Sequence, residues 1–218
     1  MSKWSNVLFE SLDPAEMPTS LVYALLVCTV QPRPIAFVSS LSAEGAPNLA
    51  PFSFFTAGGA NPPSLVFSTV LRADGSAKDT LRNVEQTREY VVNMVTRAMA
   101  VQMNEASAEV APGEDEWKRA RLTPVPSEVV KPARVAESNV QFECKLHEIV
   151  RHGSGGNAAA YVIGEVVRMH VEASLWQEGK IDPSAFRPIG RMGGSEYVDT
   201  DGPEIFTMQR PKLDQAPS

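Results

Sequence analysis

Pro-Arg-Pro-Ile-Ala-Phe-Val-Ser-Ser (Pro32 to Ser40), Ala-Glu-Gly-Ala-Pro-Asn (Ala43 to Asn48) and Leu-Ala-Pro-Phe-Ser-Phe-Phe (Leu49 to Phe55) follow one another with scarcely a break, and they decide the fold. Ile35 to Leu41 alternates bulky and small residues at period two, the pattern of a half-buried strand. Glu44-Gly45 supplies a turn and an antiparallel partner follows. That second strand carries Phe52, Phe54 and Phe55, with Ser53 facing away from Phe52 and Phe54. Pro51 inside it marks an edge or bulged strand. After Pro62-Pro63, Leu65 to Val70 reads as a third, apolar strand.

Ser76-Ala-Lys-Asp-Thr-Leu-Arg-Asn83 then opens a helix. Ser76 fits the N-cap, with Asp79 three positions on in a capping-box-like role. Such a helix exposes the N–H groups of Ala77, Lys78 and Asp79 at the positive end of its dipole, and Lys78 adds a full charge. This is a phosphate seat in outline.

Four motifs carry a resemblance: Pro-Arg-Pro-Ile-Ala-x-Val-Ser-Ser, Gly-x-x-Asn-Leu-Ala-Pro-Phe-Ser-Phe-Phe, Lys-Asp-Thr-x-x-Asn, and Arg191-Met-Gly-Gly-Ser-Glu-Tyr197. In this order, over roughly residues 20 to 200, the chain resembles the flavin reductase-like family of FMN-binding split barrels. The resemblance implies an α+β fold, a mainly antiparallel FMN-binding split β-barrel with peripheral helices, and a homodimer. Carried over residue by residue, it implies a flavin site at Arg33, Ser39, Ser40, Asn48, Ala50, Pro51, Phe52, Ser53, Arg72, Lys78, Asp79, Thr80, Arg191 and Tyr197. FMN phosphate is expected on Lys78, the Asp79 N–H and Thr80, with Arg72 or Arg33 as a second cation. The Arg191 to Tyr197 segment is expected against the flavin, across the dimer interface in one version.

Several of these residues also have a plain structural reading. Arg33, held extended between Pro32 and Pro34, is either a surface arginine in a stiff linker or a cation aimed at an anionic group. Ser39 and Ser40 point to opposite faces of their strand. Either one faces a ligand, or both are strand hydroxyls satisfied by the backbone. Asn48 is a turn residue or a flavin hydrogen-bonding group. The three Phe residues suit barrel core or dimer packing better than a wall for the flavin ring.

Length and composition bound the rest. The 218 residues suit one domain with peripheral segments: an N-terminal extension over 1–18, the barrel domain over 19–200, and a tail over 201–218. A net charge of −6 argues against a nucleic-acid backbone or an anionic membrane as the main partner. Cys28 and Cys144 suggest no disulfide framework; two reduced thiols in a cytoplasmic protein are expected. The start of the chain lacks the apolar region of a signal peptide. The longest apolar run, Leu21 to Val30, falls far short of the ~20 residues that span a bilayer.

Along the chain, Val7 to Phe9 suggests a short strand. Thr19 or Ser20 can cap a helix to about Val27. Ala57 to Pro63 is a loop by composition. Ala77 to Glu89 reads as a helix, Tyr90 to Val95 as a strand, and Arg97 to Ala108 as a helix whose Met99 and Met103 pack in a core. Pro112-Gly113 breaks that helix. Residues 109–136, rich in Pro, Glu and Lys, form an excursion on the barrel with a helical turn around Trp117. Asn139 to Val150 and Ala158 to Val171 make a hairpin. Its first strand sets Val140, Phe142, Cys144 and Leu146 on one face and Gln141, Glu143, Lys145 and His147 on the other. His152 to Asn157 is its loop rather than a phosphate loop, since it leads into a strand and lacks the P-loop Lys. Asp182-Pro183 starts the closing segment.

No nucleophile–base pair stands out, and His147, His152 and His170 lack metal-ligand spacing. That suits chemistry carried by a cofactor. The protein would hold the ring, with backbone N–H groups of the Leu49 to Phe55 strand supplying hydrogen bonds. With no G-x-G-x-x-G fingerprint, NAD(P)H would bind transiently over the flavin. Three functions remain open at this point. The first is an NAD(P)H-dependent flavin reductase supplying a monooxygenase or another electron-transfer protein. The second is an FMN electron carrier reduced by a partner protein. The third is a barrel relative binding haem or a deazaflavin, and Lys-Asp-Thr favours FMN over haem.

Overall fold

The computed structural model describes residues 7–108, 115–182 and 185–200. Pro112-Gly113, Pro183 and the tail over 201–218 lie outside them. No stretch of Val7 to Phe9 is a strand. Helix α1 (Thr19–Thr29) starts after Pro18, so Thr19 is its first residue and no side chain caps it.

Seven strands form one antiparallel sheet: β1 (Ala36–Leu41), β2 (Pro47–Phe52), β3 (Phe55–Ala60), β4 (Pro63–Val70), β5 (Glu89–Met94) and two further on. Strand β1 is buried on both faces, not one. Ala36 and Val38 join a core with Phe67, Tyr90 and Val162, while Phe37 joins a second core with Leu49, Met99 and Trp117. The alternation is as expected, but both sides of the sheet are covered here. Ser42 makes the β1–β2 turn by accepting from the N–H groups of Glu44 and Ala46, and Gly45 takes the left-handed backbone the turn needs.

The expected loop at Ala57 to Pro63 is mostly strand. A bend at Ser53-Phe54 separates β2 from β3, and the turn into β4 shrinks to Asn61-Pro62. The glycines that suggest a loop instead allow close approach: a Cβ on Gly58 would meet Ser64 Oγ at 2.5 Å.

Helix α2 (Asp79–Thr87) is shorter than expected at both ends. Its N-cap is Lys78; Ser76 belongs to the preceding turn, where its N–H donates to Asp74 Oδ1 at 2.8 Å and its carbonyl accepts from Arg72 N–H at 2.9 Å. The helix expected over Arg97 to Ala108 is a short 3₁₀ turn followed by α3 (Ala100–Glu105). Met99 and Met103 are fully buried, as core packing requires. Helix α4 (Glu116–Ala120) is the turn around Trp117, capped by Asp115. Short strands β6 (Pro124–Val125) and β7 (Arg134–Val135) pair within the excursion.

The hairpin of β8 (Val140–His152) and β9 (Ala159–Val171) completes the sheet, whose order is β2-β1-β5-β8-β9-β4-β3. Half of its expected polar face is solvated, at Lys145 and His147, while Gln141 and Glu143 are buried beneath the excursion. The Glu143 carboxylate accepts from the N–H groups of Glu128, Val129 and Val130 at 2.7–3.0 Å and meets His170 Nε2 at 2.6 Å. Two small hairpins close the described chain, β10 (Trp176–Gln177) with β11 (Lys180–Ile181) and β12 (Ile189–Arg191) with β13 (Tyr197–Asp199).

Candidate functional site

A cleft of about 1030 Å³ lies between β2, the start of α2 and the α3–α4 segment. Asn48, Ala50, Pro51 and Phe52 line its β2 wall, and Arg72, Lys78, Asp79 and Thr80 its α2 wall. The structure thus gathers eight of the expected site residues in one cavity. The local reason is the turn after β4: Arg72 N–H bonds Ser76 O at 2.9 Å and folds the chain back so that α2 starts beside β2.

The α2 end carries Arg72, Lys78 and Arg82. Lys78 stands at the N-cap, its ammonium 5.9 Å from the centre of the Phe52 ring. Asp79 takes no part in a capping box. Its carboxylate pairs with Arg72 at 3.0 Å and with Arg82 one helical turn on, and both guanidiniums also donate to Ala77 O. Arg72, Arg82 and Lys78 thus surround the Asp79 carboxylate at this corner. The helix adds the unpaired N–H groups of its first turn, now at Asp79 to Leu81 rather than at Ala77 to Asp79.

Beneath this seat runs a buried polar chain. Asn83 Nδ2 donates to Ser40 Oγ at 3.1 Å, and Asn48 Nδ2 donates to Thr80 Oγ1 at 2.8 Å and to Ser40 Oγ at 3.4 Å. Asn48 is therefore more than a turn residue: it ties β2 to α2. Because Thr80 Oγ1 accepts from Asn48, its own proton is directed elsewhere, and the cleft is where a phosphate oxygen could accept it. Asn83, the last residue of the Lys-Asp-Thr-x-x-Asn motif, joins the expected residues in the cleft lining; it lies three residues from Thr80, on the same face of α2. Arg82 is legible in the same way from Asp79.

The other expected residues lie elsewhere. Ser39 points away from Ser40 and donates to Ala133 O, fixing the excursion. Arg33 is neither a surface arginine nor a cleft cation. It is 5% exposed and gathers Val30 O at 2.9 Å, Val27 O, Met192 O at 3.0 Å and Ser53 Oγ at 3.4 Å. Burial, outweighing the help of Tyr23, lowers its pKa from the ordinary arginine value. Its backbone exchanges two hydrogen bonds with Arg191, at 2.8 and 2.9 Å. Arg191 in turn bonds the Tyr197 hydroxyl and lies 4.5 Å from that ring's centre. Arg33, Ser53, Arg191 and Tyr197 thus form a second cluster under α1, outside the cleft wall. Among the three Phe residues, Phe52 bridges core and cleft, Phe54 packs on Tyr23, and Phe55 packs on the core.

Strand β2 offers the cleft less main chain than expected. It is an edge strand, and alternate residues of an edge strand face outward. Pro47 and Pro51 take two of the outward positions and have no N–H. Among the described residues no group of three or more His, Cys, Asp or Glu side chains is placed to hold a metal. Cys28 and Cys144 are unpaired.

The fold is an α+β antiparallel sheet with a cleft at one helix start, lined by Arg72, Lys78 and Arg82. The flavin reductase like domain family matches residues 30–184, and the chain belongs to that family. It is 40% identical to an uncharacterized protein of Halalkalibacterium halodurans over 94% of this chain and 98% of that one. Among solved structures it superposes on nitrilotriacetate monooxygenase component B from Bacillus cereus with a TM-score of 0.87 and 36% identity, covering 93% of this chain and all of the other. The 2-nitrobenzoate 2-nitroreductase of Pseudomonas fluorescens follows at TM-score 0.82 and 29% identity, covering 94% of this chain and 100% of the other. Flavoredoxin of Desulfovibrio vulgaris shares the fold, at 21% identity, a TM-score of 0.68 and coverage of 85% of this chain and 93% of that one.

Proposed function

We propose that this protein is an NAD(P)H:flavin oxidoreductase that uses FMN, works as a cytoplasmic homodimer, and passes electrons to a separate protein such as a monooxygenase. The observation that carries the reading is the seat at the start of α2: Lys78, Arg72, the first-turn N–H groups and the Thr80 hydroxyl converge on one corner of a flavin-sized cleft. The donor set suits a phosphate monoester, and the cleft volume of about 1030 Å³ leaves room for the ring system beside it. Residues 19–200 make the working domain. The exposed Cys28 thiol suits a reducing compartment.

When bound, FMN would supply the hydride-accepting chemistry that no side chain here offers. The chain's own task is placement. Lys78 and Arg72 would hold the phosphate end, and Ala50, Pro51 and Phe52 would present a wall for the ring. The Asn83–Ser40–Asn48–Thr80 chain keeps that wall and the seat in register. A second copy would bring its Arg191–Tyr197 pair to the open side and leave a slot for a nicotinamide. Hydride transfer requires reacting atoms within about 3–3.5 Å, so positioning of this kind supplies most of the rate.

Anaerobic stopped-flow of the FMN-loaded protein tests the reading. NADH or NADPH is expected to bleach the flavin absorbance in a saturable phase. If both leave it oxidised while dithionite or a reduced protein donor bleaches it, the protein is an electron carrier and not a reductase.

A further inference from the structure

The glycine-rich loop over 153–157, between β8 and β9, is built against the turn that carries one end of the cleft. That turn spans 71–76, and both Arg72 and Ser76 line the cleft. Within it, Arg72 N–H donates to Ser76 O at 2.9 Å, Gly75 N–H donates to Arg72 O at 2.8 Å, and Ser76 N–H donates to Asp74 Oδ1 at 2.8 Å. These bonds are internal. They fix the shape of the turn, not its place on the barrel.

Its place comes from the hairpin. Leu71 N–H donates to Ala158 O at 2.9 Å and Asn157 N–H donates to Leu71 O at 3.2 Å, one step past the last β4–β9 pair, Val70 with Ala159. Beyond that step Gly156 lies directly on Ala73. A Cβ on Gly156 would meet Ala73 O at 2.7 Å, its Cα at 3.0 Å and its carbonyl carbon at 3.1 Å. All three are main-chain atoms, which cannot rotate aside as a side chain does, so a side chain at 156 must push the turn itself. Arg151 of β8 adds an ion pair to Glu85 of α2. The β2 wall at Ala50, Pro51 and Phe52 belongs to a strand separated from β9 by β1, β5 and β8 in the order of the sheet.

We propose that Gly156 is a positioning residue for the phosphate end of the flavin: with no side chain there, the hairpin loop seats the 71–76 turn, and through it Arg72 and the start of α2, where the phosphate is held. The inference rests on the flavin reading of the same cleft. Gly156 touches no ligand and acts through Ala73 and Arg72. Arg72 donates to Ala77 O and pairs with Asp79 at 3.0 Å, so a shift of the turn is passed to the whole corner. The loop that lacks the lysine of a phosphate loop thus serves a phosphate at one remove. The coupling is reciprocal: a phosphate held at the corner steadies the turn, and with it the loop bonded to the turn.

Gly156→Ala in the full chain tests it, with FMN and riboflavin as the probes. FMN is expected to bind more weakly by on the order of tenfold, as one charge-assisted hydrogen bond is weakened, and riboflavin to bind as it does to wild type. Gly179→Ala is the control. Gly179 takes a left-handed backbone at φ +83° in the β10–β11 turn, with nothing within 4 Å of an added Cβ, so its substitution strains a loop without pushing on the cleft. It is expected to lose stability in urea and to keep the wild-type ratio of FMN to riboflavin affinity. Amide hydrogen exchange of the wild type reads the reverse direction, and it decides the matter should Gly156→Ala not fold. FMN is expected to slow exchange at the Leu71 and Asn157 N–H groups more than riboflavin does. A folded Gly156→Ala protein with the wild-type affinity ratio overturns the proposal, as does exchange at those two groups that FMN and riboflavin slow equally or not at all. Wild type that binds neither FMN nor riboflavin overturns the flavin reading itself and this inference with it.

Discussion

At Lys78 backbone and side chain act on the same corner of the cleft. The residue stands at the N-cap of α2, and its ammonium lies 5.9 Å from the centre of the Phe52 ring on the cleft wall. A charge-assisted hydrogen bond contributes about 1.5–3 kcal/mol, so Lys78→Ala is expected to weaken FMN by roughly 10- to 150-fold and riboflavin much less. Fluorescence titration with both ligands checks it, and equal losses would show that Lys78 does not read the phosphate. This part of the site was legible because it is local: Lys78, Asp79 and Thr80 are consecutive and begin a helix. The error nearby was local too. Ser76 has the side chain of a cap, but its N–H and carbonyl close the turn after β4, and the helix starts beyond it. Arg33 was not legible at all, since the group it bonds at Met192 lies 159 residues away.

The excursion over β6, β7 and the loop between them shows what burial does to an element. Alternation put Glu143 on the outer, polar face of β8, and it does face that way. What the pattern does not contain is the segment laid over it, whose three successive N–H groups close on the carboxylate. Burial alone would raise the Glu143 pKa; the backbone donors and His170 outweigh it and bring it from 4.5 down to about 2. A depressed carboxyl stabilises the fold above its unfolded pKa, and that contribution is lost as pH falls from about 4.5 toward 2. Its size is on the order of 3 kcal/mol. Urea unfolding is therefore expected to show a steep loss of stability in that window for wild type. Glu143→Gln should flatten it and lower stability at pH 7 by about 1–3 kcal/mol, since an amide cannot serve three donors as a carboxylate does. A variant with the wild-type pH profile would assign the acid sensitivity elsewhere.

The whole molecule leaves one face that a single copy does not cover. Most strands and the β1–β2 and β8–β9 hairpins are readable from alternation and turn residues, though β3 reads as a loop; the β1–β5 and β4–β9 pairings are not, because they are made across long sequence separations. Nor does alternation say which apolar surfaces stay open. Helix α1 has 11 residues, mostly apolar, and none is buried. Leu21 is 47% exposed and Leu26 50%, beside a preceding segment in which Leu8 is 96% and Phe9 86% exposed. An isolated helix of about this length is marginal in water, so its stability must come from packing. The Arg33–Arg191–Tyr197 cluster adjoins it through the bonds of Arg33 to Val27 O and Val30 O. A second copy related by a two-fold axis would cover both apolar faces with one contact. Light scattering is expected to give about twice the 23.7 kDa chain mass at micromolar concentration. Leu21→Glu with Leu26→Glu places charges on the exposed side of α1, away from the barrel core, and is expected to give a folded monomer. If the dimer also completes the flavin site, FMN affinity should fall with the mass, though neither substitution touches the α2 seat. A wild-type chain that stays monomeric would sink the shared-site picture, and a monomeric variant with undiminished FMN affinity would confine the site to the single-copy cleft.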